Sequence, residues 1–413
     1  MLTIIINYFA WFLFVFIAVV WILVLLKNRM NMSNKGSAMR KLPMVSVLIP
    51  AYNEETSIAT TIKSVLNIDY PKHLLEVIAI NDCSTDRTGE IAKGFARQGS
   101  IRLLNNEKNR GKAYSLNRAI KISKGDYVAC VDADSMVEPG ILKKMIWQFK
   151  DPSVAAVTPA LKIWEPKNFL EKAQHAEYLL NIFLRKMLAF LDAIHVTPGV
   201  FSIYRKDVLE EIGGFEEDNL TEDMEIALKI HQHGYKIEND LSAISYTICP
   251  GKWSELLGQR IRWYRGAIQN TIKYRHMIFN RKYGNLGFFF FPANFMAVFV
   301  IIGIFFVMVW NYLTLATTTL WKMSLINWDL SVYFGEIKLL EMLAATITTP
   351  LLLSVVGIII GGYVLYTSFS ISGESVKENK PGYFLYLIIF PFVYIFFWAV
   401  ALVYEALGLK RKW

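Results

Sequence analysis

The chain has 413 residues, of which 54% are hydrophobic, and a formal net charge of +9. That apolar content is too high for an ordinary soluble protein of mixed fold. The basic excess gathers beside the apolar runs, where anionic headgroups would attract it, so membrane lipids rather than nucleic acid account for it.

In chain order, the first element is an uncharged stretch from Leu2 to Leu26, which exceeds the ~20 apolar residues a helix needs to cross a bilayer. A secretory signal would want a basic start and a shorter apolar core. Here no Lys or Arg precedes the run and Lys27 and Arg29 follow it, so residues 1–27 are expected to be a retained span. With Lys35, Arg40 and Lys41 they place the next domain in the cytosol by the positive-inside rule. Cys83, Cys130 and Cys249 show no paired or metal-ligand spacing, which agrees with a reducing compartment.

Residues 42–250 have globular composition. Met44 to Ile49 is a short β-branched run stopped by Pro50, which predicts a buried strand. A polar turn, Ala51-Tyr52-Asn53-Glu54-Glu55, leads to a helix ending near Asn67. Leu75 to Ile80 predicts a second strand that ends in Asn81-Asp82-Cys83-Ser84-Thr85-Asp86. A helix to Arg97, a short strand near 101–104 and a helix over 112–122 follow. Tyr127 to Val131 then predicts a strand that ends in Asp132-Ala133-Asp134. Strands alternating with helices give an α/β class, an open and mostly parallel sheet with helices on both faces. Ligands of such sheets bind beyond the carboxyl ends of the strands, and three polar clusters fall there.

Asp132 and Asp134, two apart in an extended segment, share a face and can approach one hard cation, Mg2+ or Mn2+. Asn109-Arg110-Gly111-Lys112 is a basic turn at a helix start, where Gly111 relaxes the backbone and Lys112 can meet a phosphate. An apolar-rich helix over 168–191, with Lys172, Arg185 and Lys186, is read as a packing helix. His175, His195, His231 and His233 lack metal-ligand context and are read as structural. Thr221-Glu222-Asp223 is a further acidic cluster. Gln259, Arg262 and Trp263 fall on neighbouring turns of one side of a helix. Residues 251–282 form an amphipathic interfacial segment, in which Trp253, Arg260, Arg265 and Lys273 also suit headgroups.

Residues 283–408 hold three uncharged runs of spanning length, Tyr283 to Trp321, Met342 to Gly373 and Pro381 to Tyr404. One span plus three puts Lys410, Arg411 and Lys412 outside, against the positive-inside rule. Pro292 interrupts the first, unusually long run, where an extra re-entrant or interfacial piece is the further reading, and the parity stays open.

These six motifs, in this order over residues 44–270, resemble those of the processive family 2 glycosyltransferases, the group of hyaluronan, chitin, cellulose and poly-N-acetylglucosamine synthases. The resemblance implies a GT-A-type cytosolic domain flanked by transmembrane helices, in the plasma membrane. It implies a UDP-sugar donor, with Tyr52, Asn53, Glu54 and Asp82 toward the nucleoside. Lys112, Asp132 and Gln259 would lie along the rest of the donor, and Asp134 with Asp132 would hold the metal. Asp223 would be the general base beside Glu222, and Arg262 would grip the diphosphate. Thr221, Gly199 and Trp263 would meet the acceptor, a growing polysaccharide. An inverted, β-linked product and UDP-N-acetylglucosamine as the favoured donor complete the expectation, with UDP-glucose, an alternating hyaluronan-like product and a small membrane accessory subunit left open. A transferase that loads one sugar onto a lipid carrier or glycolipid, and a non-enzymatic membrane receptor, are the rival readings. Cys83 departs from the family, which usually has Gly there; a positive φ at that turn would strain it.

Overall fold

The computed structural model describes residues 2–32, 41–329 and 349–409. Lys35, Arg40, the start of the Met342–Gly373 run and the tail Lys410–Lys412 lie outside the described residues. Two compact units result, one from residues up to Leu23 with Ala293–Tyr366, the other from Val24–Pro292 with Thr367–Trp413.

The second unit is built on a sheet. β1 (Val45–Ala51) is buried along its whole length, as a central strand covered on both faces should be. In α2 (Ile58–Leu66), Ile58, Ile62 and Val65 recur at helical spacing and are buried. β2 (Leu75–Asn81), α3 (Thr88–Arg97), β3 (Arg102–Asn105), α4 (Lys112–Ile122) and β4 (Tyr127–Val131) follow, within two residues of the ends read from the sequence. Then come β5 (Ser135–Val137), α5 (Ile141–Met145), β6 (Val154–Ile163), α6 (Phe169–Ala189), β7 (Val200–Arg205), α7 (Lys206–Glu211), α8 (Glu222–Gln232) and β8 (Lys236–Thr247). The strand order is β3-β2-β1-β4-β7-β6-β8-β5. β3, β2, β1 and β4 run parallel, as do β6 and β8, whereas β7 is antiparallel to both neighbours and β5 to β8. The sheet is therefore mostly parallel, and an antiparallel β7 joins its two parallel groups.

α6 starts with a reciprocal capping box between Asn168 and Glu171 and is buried over most of its length. α9 (Trp253–Lys273) packs on α8 and on the later helix α13 (Phe390–Ala406). α12 (Lys380–Ile388) lies against α6, where a side chain at Gly382 would overlap the Lys172 carbonyl. α12 and α13 are bent by 51° at a break just before Pro391.

The first unit draws on α1 (Leu2–Asn28), α10 (Phe291–Leu325) and α11 (Thr349–Ser372). Within it Gly357 admits the Trp11 ring. Among the described residues three helices are long and apolar enough to cross a membrane, over Tyr8–Asn31, Leu286–Leu325 and Val355–Ser372; the bent α12–α13 pair makes a fourth if it counts as one span. Pro292 does not break its run. It is the second residue of α10, which directly follows a π-helical turn over Leu286–Phe290.

Candidate active site

The loops after β1 and β2 hold each other. Asn53 Oδ1 accepts from the Thr85 amide at 2.8 Å, and the Asn53 and Glu54 amides donate to Ser84 Oγ (3.1 Å) and Thr88 Oγ1 (2.7 Å). Similar bonds run from the Glu55 amide to Asp86 Oδ2 and from the Arg87 amide to Glu55 Oε2, at 3.0 Å each. These bonds hold Asn53 at φ 55° and Cys83 at φ 59°. The strain anticipated at Cys83 is thus real, and the Ser84 amide bond to Asn81 Oδ1 (3.1 Å) secures the turn. Tyr52 stands half exposed at the rim.

Asp82 is 3% exposed, and its carboxylate is already engaged. It accepts from Asn106 Nδ2 at 2.6 Å and from the amides of Arg110 at 3.1 Å and Gly111 at 2.8 Å. Its role in this arrangement is to shape the turn before α4, which Gly111 enters at φ 86°. Arg110 lies 3.8 Å over the Tyr114 ring.

Lys112, the first residue of α4, carries the central contact. Its Nζ lies 2.5 Å from Asp132 Oδ1 and 2.7 Å from Glu222 Oε1, so one ammonium ties the end of β4 to the start of α8. Burial disfavours that charge, but Asp132 and Glu222 hold Lys112 firmly protonated. A Cβ on Gly199 would come 2.6 Å from Asp132 Oδ1 and run into the Lys112 ammonium, so any side chain there must displace those two tips. Gly199→Ala is expected to push Lys112 off Asp132 and raise the donor KM about tenfold, with Tm nearly unchanged because side-chain tips yield before backbone does. Steady-state kinetics beside a thermal melt checks it, and a parental KM would contradict it.

Asp132-Ala133-Asp134 is not extended, contrary to the reading from spacing. Ser135 N donates to Asp132 O at 3.1 Å and closes a turn, because the chain must reverse from β4 into β5. The carboxylates still crowd each other: burial, then Asp132 and Glu54, push the Asp134 carboxyl up to about 6. Among the described residues no three His, Cys, Asp or Glu gather as a metal cage. Two hard oxygen ligands in surplus negative charge nonetheless fit a divalent cation that takes its other ligands from a bound phosphate and water.

Thr221 is the N-cap residue of α8, and Asp223 lies in its first turn. Thr197 pins this turn by donating through N (3.1 Å) and Oγ1 (3.0 Å) to the Asp223 carbonyl. Burial, then the neighbouring Glu222 carboxylate, push the Asp223 carboxyl up to about 6, against the pull of Lys112 and Arg262. Burial would raise Glu222 too, but the Lys112 ammonium prevails and its carboxyl is lowered. Two neighbouring acids are thus driven apart, one fixed as an anion and one poised to titrate.

Sequence reasoning missed a third cation near Asp223. Arg185 of α6, read only as part of a packing helix, feels the Asp223 charge while burial lowers it to about 10. His195 stacks on Phe290 at 4.1 Å, and burial, then Arg185 and His231, push it down to about 3, so it stays neutral. No local signal marked either, since each acts across elements distant in the chain.

Gln259, Arg262 and Trp263 all lie on α9. Arg262 is close enough to act on both Glu222 and Asp223. Trp263 packs on Leu161, Ile163, Tyr178, Val200 and Cys249. The buried Gln259 Oε1 accepts no hydrogen bond among the described residues. The assignment of Arg260 and Arg265 to a headgroup surface is corrected, whereas Lys273 stays 40% exposed. Arg260 is buried against Glu177, Arg265 pairs with Glu405 at 2.9 Å, and Lys273 pairs with Glu216 and with Glu225 at 3.1 Å. Trp253 remains half exposed.

Residues 46–213 match the family described as Glycosyl transferase family 2. The poly-beta-1,6-N-acetyl-D-glucosamine synthase of Staphylococcus epidermidis is 34% identical over 225 residues, 54% of either chain. The enzyme of that name from Staphylococcus aureus is 33% identical over the same share. The chain spans about half the length of the curated relatives it matches. Among solved structures, the mannosyltransferase PcManGT from Pyrobaculum calidifontis, in complex with GDP-Man and Mn2+, superposes with a TM-score of 0.62 at 19% identity. That likeness covers 98% of this chain and 100% of that one and shows the shared fold.

Proposed function

We propose that this chain, whose residues 46–213 match the Glycosyl transferase family 2 model, is a family 2 glycosyltransferase that polymerises a β-linked polysaccharide from UDP-N-acetylglucosamine at the cytosolic face of a membrane. The observation that carries the reading is the Lys112 bridge between Asp132 and Glu222, next to an Asp223 whose carboxyl is lifted to about 6. It joins a donor side to a poised base at the carboxyl ends of the strands. The curated relatives named for poly-N-acetylglucosamine synthesis support the choice of sugar. Three or four apolar helices among the described residues, with Lys27 and Arg29 at the end of the first of them and Lys41 beyond it, support membrane placement with the sheet domain inward.

In this reading the acceptor hydroxyl attacks the anomeric carbon as its bond to UDP breaks, so the configuration inverts. Asp223 takes the hydroxyl proton. The departing electron pair stays on the diphosphate, which draws Lys112 away from Asp132 and meets the guanidinium of Arg262. Asp132 and Asp134 would hold Mg2+ or Mn2+, which supplies further neutralisation of the leaving group. Asn53 and Glu54, with Tyr52 at the rim, would border the nucleoside, and Asp82 keeps the Lys112 turn in shape. Thr221, Gly199, Gln259 and Trp263 would border the sugar acceptor and donor. Successive additions would lengthen one chain, which the apolar helices would lead across the bilayer.

Purified protein in lipid, given radiolabelled UDP-N-acetylglucosamine or UDP-glucose with Mg2+ or Mn2+, tests this. High-molecular-weight product from the first donor alone is the expected result. A lipid-linked monosaccharide on thin-layer separation would replace polymerisation with single addition, and product from UDP-glucose alone would overturn the sugar.

A further inference from the structure

The ion pair between α6 and α9 lies outside the chemistry described above, yet among the described residues it is a buried, two-pronged one. Arg260 Nη1 and Nη2 meet Glu177 Oε1 and Oε2 at 2.7 and 2.8 Å, and the two side chains are 3% and 7% exposed. Such a fork fixes the plane of the guanidinium as well as its position. The same guanidinium lies 4.3 Å from the centroid of the Trp263 ring, three residues further along α9. One face of that ring is therefore set by a group whose own plane is set by Glu177. Tyr178, next to Glu177 on α6, packs against Trp263 in the same cluster, and the buried Arg260 Nε has no hydrogen-bond partner among the described residues.

The energetics say what the pair is for. Removing two charges from water is costly, and two apolar side chains of similar volume hold buried helices together about as well. Cohesion between α6 and α9 does not need Glu177 and Arg260. What apolar packing cannot give is a fixed direction at Trp263.

We propose that Arg260, clamped by Glu177, is a positioning residue that sets the plane of the Trp263 ring and so the fit of the sugar acceptor against it. The proposal rests on the placement of Trp263 at the acceptor end. Arg260 touches neither donor nor acceptor; it acts through the tryptophan. α9 is anchored separately further on, by Arg265 and Gln269 to Glu405 and by Asn270 to Thr221. Loss of the Glu177 clamp should therefore loosen the acceptor face while leaving the base and the donor side in place.

The test uses the full chain in lipid. Arg260→Met alone would strand Glu177 as a buried anion, so the informative variant is Arg260→Met with Glu177→Leu, which removes both charges together. Arg260→Lys is its companion, keeping the charge but losing the fork. Tm of the double variant is expected to match the parent. UDP release without acceptor and the donor KM should stay within about twofold, while the KM for a short N-acetylglucosamine primer rises about tenfold or more and the polymer shortens. Arg260→Lys should fall between the two, and Trp263→Ala added to the double variant should cost little more. Parental primer KM and product length in a folded double variant would overturn the proposal, as would an equal rise in donor KM. A parent that extends no primer overturns the polymerase reading, and the proposal with it, so the two failures are told apart by the parent alone.

Discussion

Asp223→Asn is expected to lower glycosyl transfer by about 10³-fold or more while the protein stays folded and binds donor as before. The two parts of this result have separate causes. Asparagine keeps the volume and can still accept the Met224 amide bond that Asp223 Oδ1 makes at 2.8 Å, but it cannot take a proton. The Thr197 contacts that pin the start of α8 go to the Asp223 carbonyl and survive the change. With the carboxyl at about 6, parental kcat should fall tenfold per pH unit below that value and level off above it. The variant's residual rate should show no such step.

Stability should move the other way. A carboxyl whose folded pKa is raised above its unfolded value binds its proton more tightly in the native state. The stability it contributes is lost as pH rises from the ordinary carboxylate range to about 6, and a constant penalty remains above. Asparagine does not ionise, so the variant's Tm at neutral pH should equal or exceed the parent's. Near-parental activity in the variant, or a pH profile flat in the parent, would remove Asp223 from the role of base.

The parallel strands β1, β2 and β4 were legible because each is a short apolar run bounded by a polar cluster, and the clusters mark the ends where chemistry occurs. Helix α4 was legible to the residue because Gly111 and the basic turn announce its start. The antiparallel part was not. β5 is only three residues, and β8 is long but half polar, its burial varying along its length. The turn at Asp132 was misread because an Asp-x-Asp pair looks the same in an extended or a reversing backbone. The largest error was on α9. Arg260 and Arg265 on an amphipathic helix read as headgroup ligands, since their partners Glu177 and Glu405 lie 83 and 140 residues away. Local pattern gives the charge of a helix face; only the tertiary fold supplies the opposite charge that buries it.

Chelation should have the second large effect, with transfer lost in excess EDTA and restored by Mn2+ or Mg2+. Its form follows from the number of ligands. Asp132 and Asp134 offer only two carboxylates, and Lys112 already neutralises part of Asp132. No third His, Cys, Asp or Glu completes a cage among the described residues, so a cation alone should bind weakly. UDP brings oxygens for the cation and anions for Lys112 to follow, so each ligand should tighten the other. The thermal shift with Mn2+ and UDP together should exceed the sum of the separate shifts. In Asp134→Asn the synergy should vanish and transfer should drop by about 100-fold, more than a single peripheral ligand would explain. Transfer that persists in EDTA would mean that Lys112 and Arg262 carry the leaving diphosphate unaided, with the carboxylate pair serving to hold Lys112 in place until the donor arrives.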